Sequence, residues 1–291
     1  MFEGTYTALV TPFRHGQVDV KAFEALIERQ VAAGIEGIVP VGTTGESPTL
    51  NMQEHVRVIE LAVQFARKRT KVVAGTGSNS TAEAIELSTG AQQAKADALL
   101  LVAPYYNKPS PEGMYQHFRA IAQAVDLPIM LYSVPSRCGV EITVETVGRL
   151  AKDCPTIRAI KEAGGKPERV DEIRKVVPAG FEILSGDDGM TVEFMKRGAL
   201  GVVSVASNLM PAEVKALVDA AARKDWKKAE ELHQKYAAVF RDLFIESNPG
   251  PVKAAMAAKG WLADELRLPL VPITEASRER LFRTLKEAGL A

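Results

Sequence analysis

The chain has 291 residues, of which 46% are hydrophobic and 25% are charged. Its 36 Lys and Arg residues balance its 36 Asp and Glu residues, so the formal net charge is zero. This balance argues against a protein that attracts nucleic acid or an anionic membrane over a broad surface, and it leaves room for a local basic pocket that binds a small acid. The length suits one large α/β domain or two small ones.

The cysteine content and the hydropathy predict the compartment. Cys138 and Cys154 do not form a CxxC pair, and two such cysteines are typical of a reducing environment. Residues 1–5 lack the basic start and apolar run of a signal peptide, and a span of about 18 apolar residues is absent from the sequence. We therefore expect a cytoplasmic protein that does not associate with membranes.

Short apolar runs alternate with segments of helical periodicity as far as about residue 224. Residues 20–33 are typical, with Phe23, Leu26, Ile27 and Val31 near helical spacing. The apolar runs predict strands at residues 6–10, 37–41, 72–74, 98–102, 129–132, 157–160, 181–184 and 201–203. Since each run is followed by a loop and a helical segment, the pattern predicts eight successive strand–helix units.

Repeated strand–helix units indicate parallel strands, because each helix returns the chain to the same edge of the sheet. Eight such units can close a (β/α)₈ TIM barrel, which typically takes roughly 250 residues. A doubly wound open sheet is the alternative, but its first turn is usually glycine-rich, and residues 10–14 (VTPFR) contain no glycine.

Beyond residue 224 the pattern changes to helices alone, predicted at residues 226–244, 249–259 and 277–288. We therefore predict an α/β protein with a catalytic (β/α)₈ barrel in residues 1–224. A C-terminal helical region would occupy residues 225–291.

In such barrels the reactive groups lie at the carboxyl ends of the strands. Lys161 is the only lysine that directly ends a predicted strand. A lysine amine normally has a pKa near ~10.4. Ala159, Ala163 and Val203 would remove water from the amine at the barrel mouth, and the resulting lower pKa would let the neutral amine attack a ketone.

A structural ion pair is the competing interpretation of Lys161. Glu162 or Asp187 could supply the carboxylate, although Glu162 would face the opposite side of the strand from Lys161. From position alone the two interpretations have about equal weight.

Hydroxyl groups near Lys161 favour a reactive amine. Tyr132 ends the neighbouring strand, and its phenol could move protons during imine chemistry. Thr43, Thr44 and Tyr106 could extend a hydroxyl relay from it. Singly, each has a structural interpretation as well, since tyrosines are common at barrel rims and threonines are common in turns.

Two further features suit a carboxylate ligand. Residues 42–45 (GTTG) form a turn whose glycines would allow positive φ and close approach of the backbone. Arg137, five residues after Tyr132, has the rigid fork that binds a carboxylate through two hydrogen bonds. A loop salt bridge is the alternative for Arg137.

Metal binding is not expected. The four histidines, His15, His55, His117 and His233, share no HxH or HxxxH spacing. Asp187 and Asp188 are adjacent and would face different ways, so we expect them to cap the helix that follows. The sequence therefore predicts neither a metal nor another cofactor.

Five motifs resemble those of the dihydrodipicolinate synthase family, within the superfamily of pyruvate-dependent class I aldolases and N-acetylneuraminate lyases. They are GTTGES at residues 42–47, PYYNKP at 104–109, YSVPSR at 132–137, IKEA at 160–163 and SGDD at 185–188. The similarity covers essentially the whole chain and includes ESNPGPVK at residues 246–253. Each motif is moderately specific, and together they are highly specific.

The resemblance implies a lyase that condenses pyruvate with L-aspartate 4-semialdehyde in the diaminopimelate route to lysine, without a cofactor. Lys161 would form the imine with pyruvate, and Tyr132 would transfer protons. Thr43 would link Tyr132 to Tyr106, which family members supply from a neighbouring subunit. The family is usually a homotetramer built as a dimer of dimers, so the expected partners are the two substrates and further copies of the chain, with no nucleic acid or membrane.

The resemblance also implies the substrate contacts. Thr44 would help to hold the pyruvate carboxylate, and Arg137 would bind the carboxylate of the semialdehyde. Gly186 and Val203 would contribute main-chain carbonyls near the lysine. N-acetylneuraminate lyase and the keto-deoxy sugar acid aldolases share the lysine and the tyrosine, but Thr44 and Arg137 favour the synthase. A non-catalytic barrel that acts as a binding protein is a further alternative.

Some positions depart from the family pattern or concern regulation. Ser133 and Cys138 stand where the family often has Asn and Thr, which suggests sensitivity to thiol reagents at Cys138. Pro48 and Met52 do not match the usual residues of the family's inhibitory lysine site, so we predict weak or moderate feedback inhibition. Residues that do match that site are Ser47, His55, Asn79, Glu83 and Tyr105.

Overall fold

The computed structural model describes residues 1–290, and its centre is a closed barrel of parallel strands. The described barrel strands are β1 Gly4–Ala8, β2 Gly37–Val39, β3 Lys71–Gly75, β4 Ala98–Val102, β5 Ile129–Ser133, β6 Ile157–Glu162, β7 Glu182–Ser185 and β8 Gly201–Ser204. Strand β8 pairs with β1 from Gly4↔Gly201 onward, which closes the barrel. The predicted (β/α)₈ barrel is therefore confirmed.

Helices follow the strands along the chain. They are α1 Val20–Ala32, α2 Met52–Ala66, α3 Thr81–Gln93, α4 Pro111–Ala124, α5 Pro135–Cys138, α6 Val144–Asp153, α7 Glu168–Arg174, α8 Thr191–Lys196, α9 Pro211–Ala222, α10 Trp226–Asp242, α11 Gly250–Ala258 and α12 Glu275–Glu287. Most of the long barrel helices begin at a polar N-cap, as at Asp19, whose side chain accepts from the Ala22 amide. Among helices in residues 1–290, none is long and apolar enough to cross a membrane.

Two predicted strands end two residues before their apolar runs do, for local reasons. The first ends at Ala8 because the Val10 amide donates to the Asn208 side chain rather than to a neighbouring strand. The second ends at Val39 because Pro40 has no amide hydrogen and Val41 has a left-handed φ of 51°. A short antiparallel hairpin, Phe13–Arg14 with Gln17–Val18, lies between β1 and α1, where the sequence predicted only a turn.

The C-terminal helices pack on the barrel helices and share their core. Helix α10 packs against α9 and α12, and the buried cluster that begins in the barrel includes Val239, Val252 and Leu281. Asp242 in α10 accepts hydrogen bonds from Arg280 and Thr284 in α12. A division between residues 1–224 and residues 225–291 stays a prediction.

Candidate active site

A cavity of about 230 Å³ opens at the carboxyl ends of the barrel strands. It is lined by side chains from several successive loops and from the segment before α11. Lining residues are Ala8, Val39, Gly42, Thr43, Thr44, Leu100, Tyr132, Val134, Ser136, Arg137, Lys161, Ala163, Gly186, Asp187, Val205, Phe244 and Asn248. The mouth of the barrel thus brings together one amine, one guanidinium and several hydroxyl groups.

Lys161 lies in β6 with its amine buried beside Tyr132 in β5. The two residues are paired in register, and Lys161 Nζ is 4.1 Å from the centroid of the Tyr132 ring. Burial lowers the pKa of Lys161 to about 7, against a weaker opposing effect of Asp188. A large fraction of the amine is therefore neutral near neutral pH, as an attack on a carbonyl group requires.

The structure does not favour the ion-pair interpretation of Lys161. Its amine forms no salt bridge with a carboxylate among residues 1–290. Glu162 faces the other side of β6, where its carboxylate accepts from Arg169 Nε at 3.0 Å and from the Gly164 amide at 2.8 Å. Glu162 therefore neutralises Arg169 rather than Lys161.

Tyr132 is a buried phenol in a position to exchange protons. Burial raises its pKa to about 12, while the charge of Arg137 and a hydrogen bond with Thr43 act in the opposite direction. The phenol therefore stays protonated at neutral pH and can donate a proton. Its closeness to the Lys161 amine means that an iminium cation formed there would stabilise the phenolate.

The loop after β2 carries Thr43 and Thr44 on a strained backbone. Positive φ angles occur at Val41 (51°) and Glu46 (55°), so the expectation that Gly42 and Gly45 take these conformations is wrong. Gly45 does permit the close backbone approach that the sequence predicted, because a Cβ atom there would lie 2.8 Å from the Val41 nitrogen. The loop is thus fixed by packing as well as by its own hydrogen bonds.

Asn248 is a cavity residue that the sequence did not single out. Its Nδ2 donates to Thr44 Oγ1 at 2.9 Å, which leaves the Thr44 hydroxyl proton free for a ligand. Asp187 and Phe244 also line the cavity without having been predicted to do so. The sequence did contain one indication of Asn248, because this residue lies in the segment at residues 246–253 that resembles the family.

Arg137 and Gly186 lie where the sequence predicted them. Arg137, in the short helix α5, lines the cavity and has no salt bridge to any residue of the described chain, so the loop salt bridge is not supported. Gly186 is required for space: a Cβ atom would lie 2.6 Å from Ala163 Cβ and 3.0 Å from Lys161 Cε. Val203 is fully buried in β8 and does not line the cavity.

Tyr106 lies outside the cavity of its own chain. It is 89% exposed, with a φ of 72°, in the loop between β4 and α4. A second cavity, of about 220 Å³, adjoins the first, and both are lined by Thr43, Tyr132 and Arg137. Within one chain, Tyr106 therefore does not meet Thr43.

The residues matched to a lysine site do not share one cavity. Ser47 and Tyr105 line the second cavity together with Pro48. His55 is buried, with Nε2 2.7 Å from the Gly75 carbonyl oxygen, and burial lowers its pKa. Glu83 accepts from the Ser78 hydroxyl, and the main chain of Asn79 accepts from Asn107. Lysine inhibition therefore stays a prediction.

The structure bears out the helix-cap prediction for Asp187 and contradicts it for Asp188. Asp187 caps the turn that leads to α8 by accepting from the Gly189 amide, as expected. Asp188 does not cap it: its Oδ2 accepts from the Val205 and Ala206 amides after β8, because its side chain turns towards the neighbouring strand.

The predicted sensitivity of Cys138 to thiol reagents is not favoured by its surroundings. Burial raises the pKa of the Cys138 thiol to about 11, which disfavours the reactive thiolate.

A closed parallel barrel with a buried amine of lowered pKa at its mouth belongs to the class of barrels suited to Schiff-base chemistry with small carbonyl compounds. A family model described as "Dihydrodipicolinate synthetase family" matches residues 1–288. The chain belongs to this family. In residues 1–290 no group of three or more His, Cys, Asp or Glu side chains is arranged to hold a metal ion.

Individual proteins are similar over their full length. The chain is 49% identical over 290 residues to 4-hydroxy-tetrahydrodipicolinate synthase of Syntrophus aciditrophicus, covering 100% of this chain and 99% of the relative. The solved structure of 4-hydroxy-tetrahydrodipicolinate synthase from Methylacidiphilum fumariolicum SolV has 52% identity and a TM-score of 0.98, with 99% and 96% of the two chains covered. A structure described as the first monomeric dihydrodipicolinate synthase variant has 38% identity and a TM-score of 0.97, with 100% and 98% covered.

Proposed function

We propose that the chain condenses pyruvate with L-aspartate 4-semialdehyde to give 4-hydroxy-tetrahydrodipicolinate, in the diaminopimelate route to lysine. One observation carries this proposal: the buried Lys161 amine, with a pKa of about 7, shares a cavity with Tyr132, Thr44 and Arg137. The names of the relatives and the family membership support the choice of substrates. We also propose a cytoplasmic location, which the two free cysteines support.

The reaction would begin with the neutral Lys161 amine attacking the carbonyl carbon of pyruvate. The carbinolamine loses its hydroxyl as water, with a proton supplied by the Tyr132 phenol, and an iminium forms. Loss of a proton from the methyl carbon gives an enamine, whose carbon then attacks the aldehyde carbon of the second substrate. The aldehyde oxygen takes up a proton and becomes the 4-hydroxyl group. The amino group of the second substrate then attacks the imine carbon, which closes the ring and releases the Lys161 amine. Tyr132 is suited to return protons because it lies beside the amine and has a protonated resting form.

The two carboxylates would be held at different parts of the cavity. Thr44, which receives a hydrogen bond from Asn248, can donate its hydroxyl proton to the pyruvate carboxylate. Main-chain groups near Gly186 and Val203 would lie around the imine. Arg137, without a salt bridge inside the described residues, would bind the carboxylate of the semialdehyde through its two-pronged fork.

A test of the activity compares two aldehydes. The initial rate of pyruvate condensation would be measured with L-aspartate 4-semialdehyde and with N-acetylmannosamine under the same conditions. Turnover of the semialdehyde alone is the expected result. Turnover of the sugar alone would retain the Lys161 chemistry and overturn the assigned substrate.

Replacing Arg137 with alanine is expected to weaken binding of the semialdehyde selectively. Loss of a charged hydrogen-bonding partner costs roughly 1.5–3 kcal/mol, so KM for the semialdehyde should rise about 10-fold to 100-fold while KM for pyruvate changes little. Steady-state kinetics with each substrate varied would measure this. Arg149→Ala, an exposed arginine paired with Glu112, is the matched control. An equal rise in both KM values would contradict the assigned role.

We further propose a homotetramer built as a dimer of dimers, with Tyr106 completing the site of a neighbouring copy. Support comes from the 89% exposure of this aromatic side chain and from the second cavity beside Thr43. A Tyr106→Phe chain should then lose activity, and mixing it with a Lys161→Ala chain should restore part of it, because some sites receive both intact groups. Sedimentation of the active protein as a monomer would contradict the assembly.

A further inference from the structure

The loop that carries Thr43 and Thr44 is joined to the C-terminal helices by a buried ion pair. Lys253 in α11 donates from Nζ to Glu46 Oε1 at 2.6 Å, and both side chains are fully buried. Glu46 is the next residue after the turn at residues 42–45. A buried ion pair must overcome the desolvation of both charges, so its presence is weak evidence for a contribution to stability.

The hydrogen bonds around this pair converge on the loop. Glu46 Oε2 accepts from the Arg267 amide at 3.0 Å, and Lys253 Nζ also donates to the Thr11 carbonyl at 2.9 Å. The Thr11 hydroxyl in turn donates to the Gly45 carbonyl at 2.7 Å. Three segments that are distant in sequence therefore hold the end of the loop in one position.

The loop needs such support because its backbone is strained. Val41 and Glu46 have left-handed φ angles without being glycine, and this persists only where the surroundings impose it. A second connection comes from the same part of the chain: Asn248, just before α11, donates to Thr44. The α11 region thus holds the loop at Thr44 and again at Glu46.

We propose that Glu46 and Lys253 are positioning residues for the condensation. Neither lines the cavity, so both act through Thr43 and Thr44, which do. Their ion pair keeps Thr43 against Tyr132 and keeps Thr44 directed at the pyruvate carboxylate. This inference rests on the proposed function, since it assigns an effect on the pyruvate half of that reaction.

The test uses Glu46→Gln, Lys253→Met and the double variant in the full-length protein. A displacement of about 1 Å in a catalytic group can cost about 100-fold in rate. We expect kcat to fall by about 10-fold to 100-fold and KM for pyruvate to rise about 10-fold in all three, while KM for the semialdehyde stays within about twofold. The double variant should recover thermal stability relative to the single variants, because it leaves no unpaired buried charge, yet its kcat should stay low.

Asp242→Asn is the matched control. Asp242 is a carboxylate that is 1% exposed, connects α10 with α12 and lines neither cavity. Its substitution should lower the melting temperature and leave kcat and both KM values unchanged. If Lys253→Met does not fold, Glu46→Asp and Lys253→Arg can replace it, because they retain the charges and change only the side-chain lengths. These variants should likewise raise KM for pyruvate while KM for the semialdehyde stays within about twofold.

Borohydride trapping separates this inference from the proposed function. If the wild-type protein gains no mass at Lys161 with pyruvate, the proposed function fails and the positioning role fails with it. If the wild type is trapped and the variants match its kcat, its pyruvate KM and its trapping rate despite lower melting temperatures, the ion pair is structural and only the positioning role is overturned. The expected result is that the Glu46 and Lys253 variants are trapped more slowly than the wild type and need more pyruvate. The Asp242→Asn control should be trapped like the wild type.

Discussion

Lys161→Met should abolish condensation and at the same time stabilise the folded protein. The activity disappears because methionine has no amine that could form an imine. Stability rises because methionine fills a similar volume and has no amine whose proton affinity is reduced by burial. With the pKa of Lys161 lowered from 10.5 to about 7, the gain in the free energy of unfolding at pH 7 is on the order of 4 kcal/mol.

The sign of the pH dependence follows from the lowered pKa. Above about pH 10.5, the lysine is neutral in the folded and unfolded states, and its burial carries no protonation penalty. As the pH falls towards 7, the unfolded chain binds a proton that the folded protein does not, so wild-type stability falls relative to Lys161→Met. The stability difference should therefore grow from about pH 10 to pH 7 and level off below that.

Activity should follow the same ionisation in the wild type. The rate of imine formation with pyruvate should rise with pH and reach half its maximum near the Lys161 pKa of about 7. Lys71→Met, which alters a lysine at the opening of β3, should keep this profile and the trapping at Lys161. A pyruvate-dependent mass gain in borohydride-treated Lys161→Met would contradict the assignment of the nucleophile.

The sequence predicted the parts of this protein that depend on local pattern. Apolar runs and helical periodicity located the barrel strands, with ends that differ by about two residues. They also placed Lys161 and Tyr132 at the ends of neighbouring strands, where the structure pairs them in register. A strand end fixes the place of a side chain in a parallel barrel, so this inference needed no knowledge of distant contacts.

The parts that the sequence did not predict depend on contacts between distant residues. The Asn248–Thr44 and Glu46–Lys253 bonds join positions 204 and 207 residues apart. Nothing in the local pattern at Glu46 distinguishes a buried partner of lysine from a solvated turn residue. Likewise, Asp188 was expected to cap its own helix, and only the fold shows that its carboxylate reaches the amides after β8.

The lowered pKa of Lys161 also depends on the fold. The sequence predicted its direction from the expected burial, while the absence of an ion pair among residues 1–290 became evident only when Glu162 was found against Arg169. A buried cation beside an unpaired carboxylate would have had a raised pKa instead. The reactive state of the amine is therefore a property of the whole barrel mouth.

Tyr132→Phe is expected to lower kcat by about 100-fold to 10,000-fold, the range that general acid–base catalysis supplies. Phenylalanine keeps the ring beside Lys161 Nζ and removes only the hydroxyl from the cavity that Tyr132 shares with Thr43. KM for pyruvate should change little, because Thr44 and its Asn248 partner are intact. Steady-state kinetics and borohydride trapping at fixed pyruvate would measure the two effects separately.

Exchange of the pyruvate methyl protons in D₂O tests whether the phenol acts chemically or only packs. The wild type should exchange them through the enamine, and Tyr132→Phe should do so far more slowly even when the imine is trapped. Tyr115→Phe is the matched control, since Tyr115 is also 6% exposed and donates its hydroxyl to Asp153 in another part of the fold. Wild-type exchange in Tyr132→Phe would remove Tyr132 as the proton-transfer group and leave Lys161 without an identified partner for the enamine step.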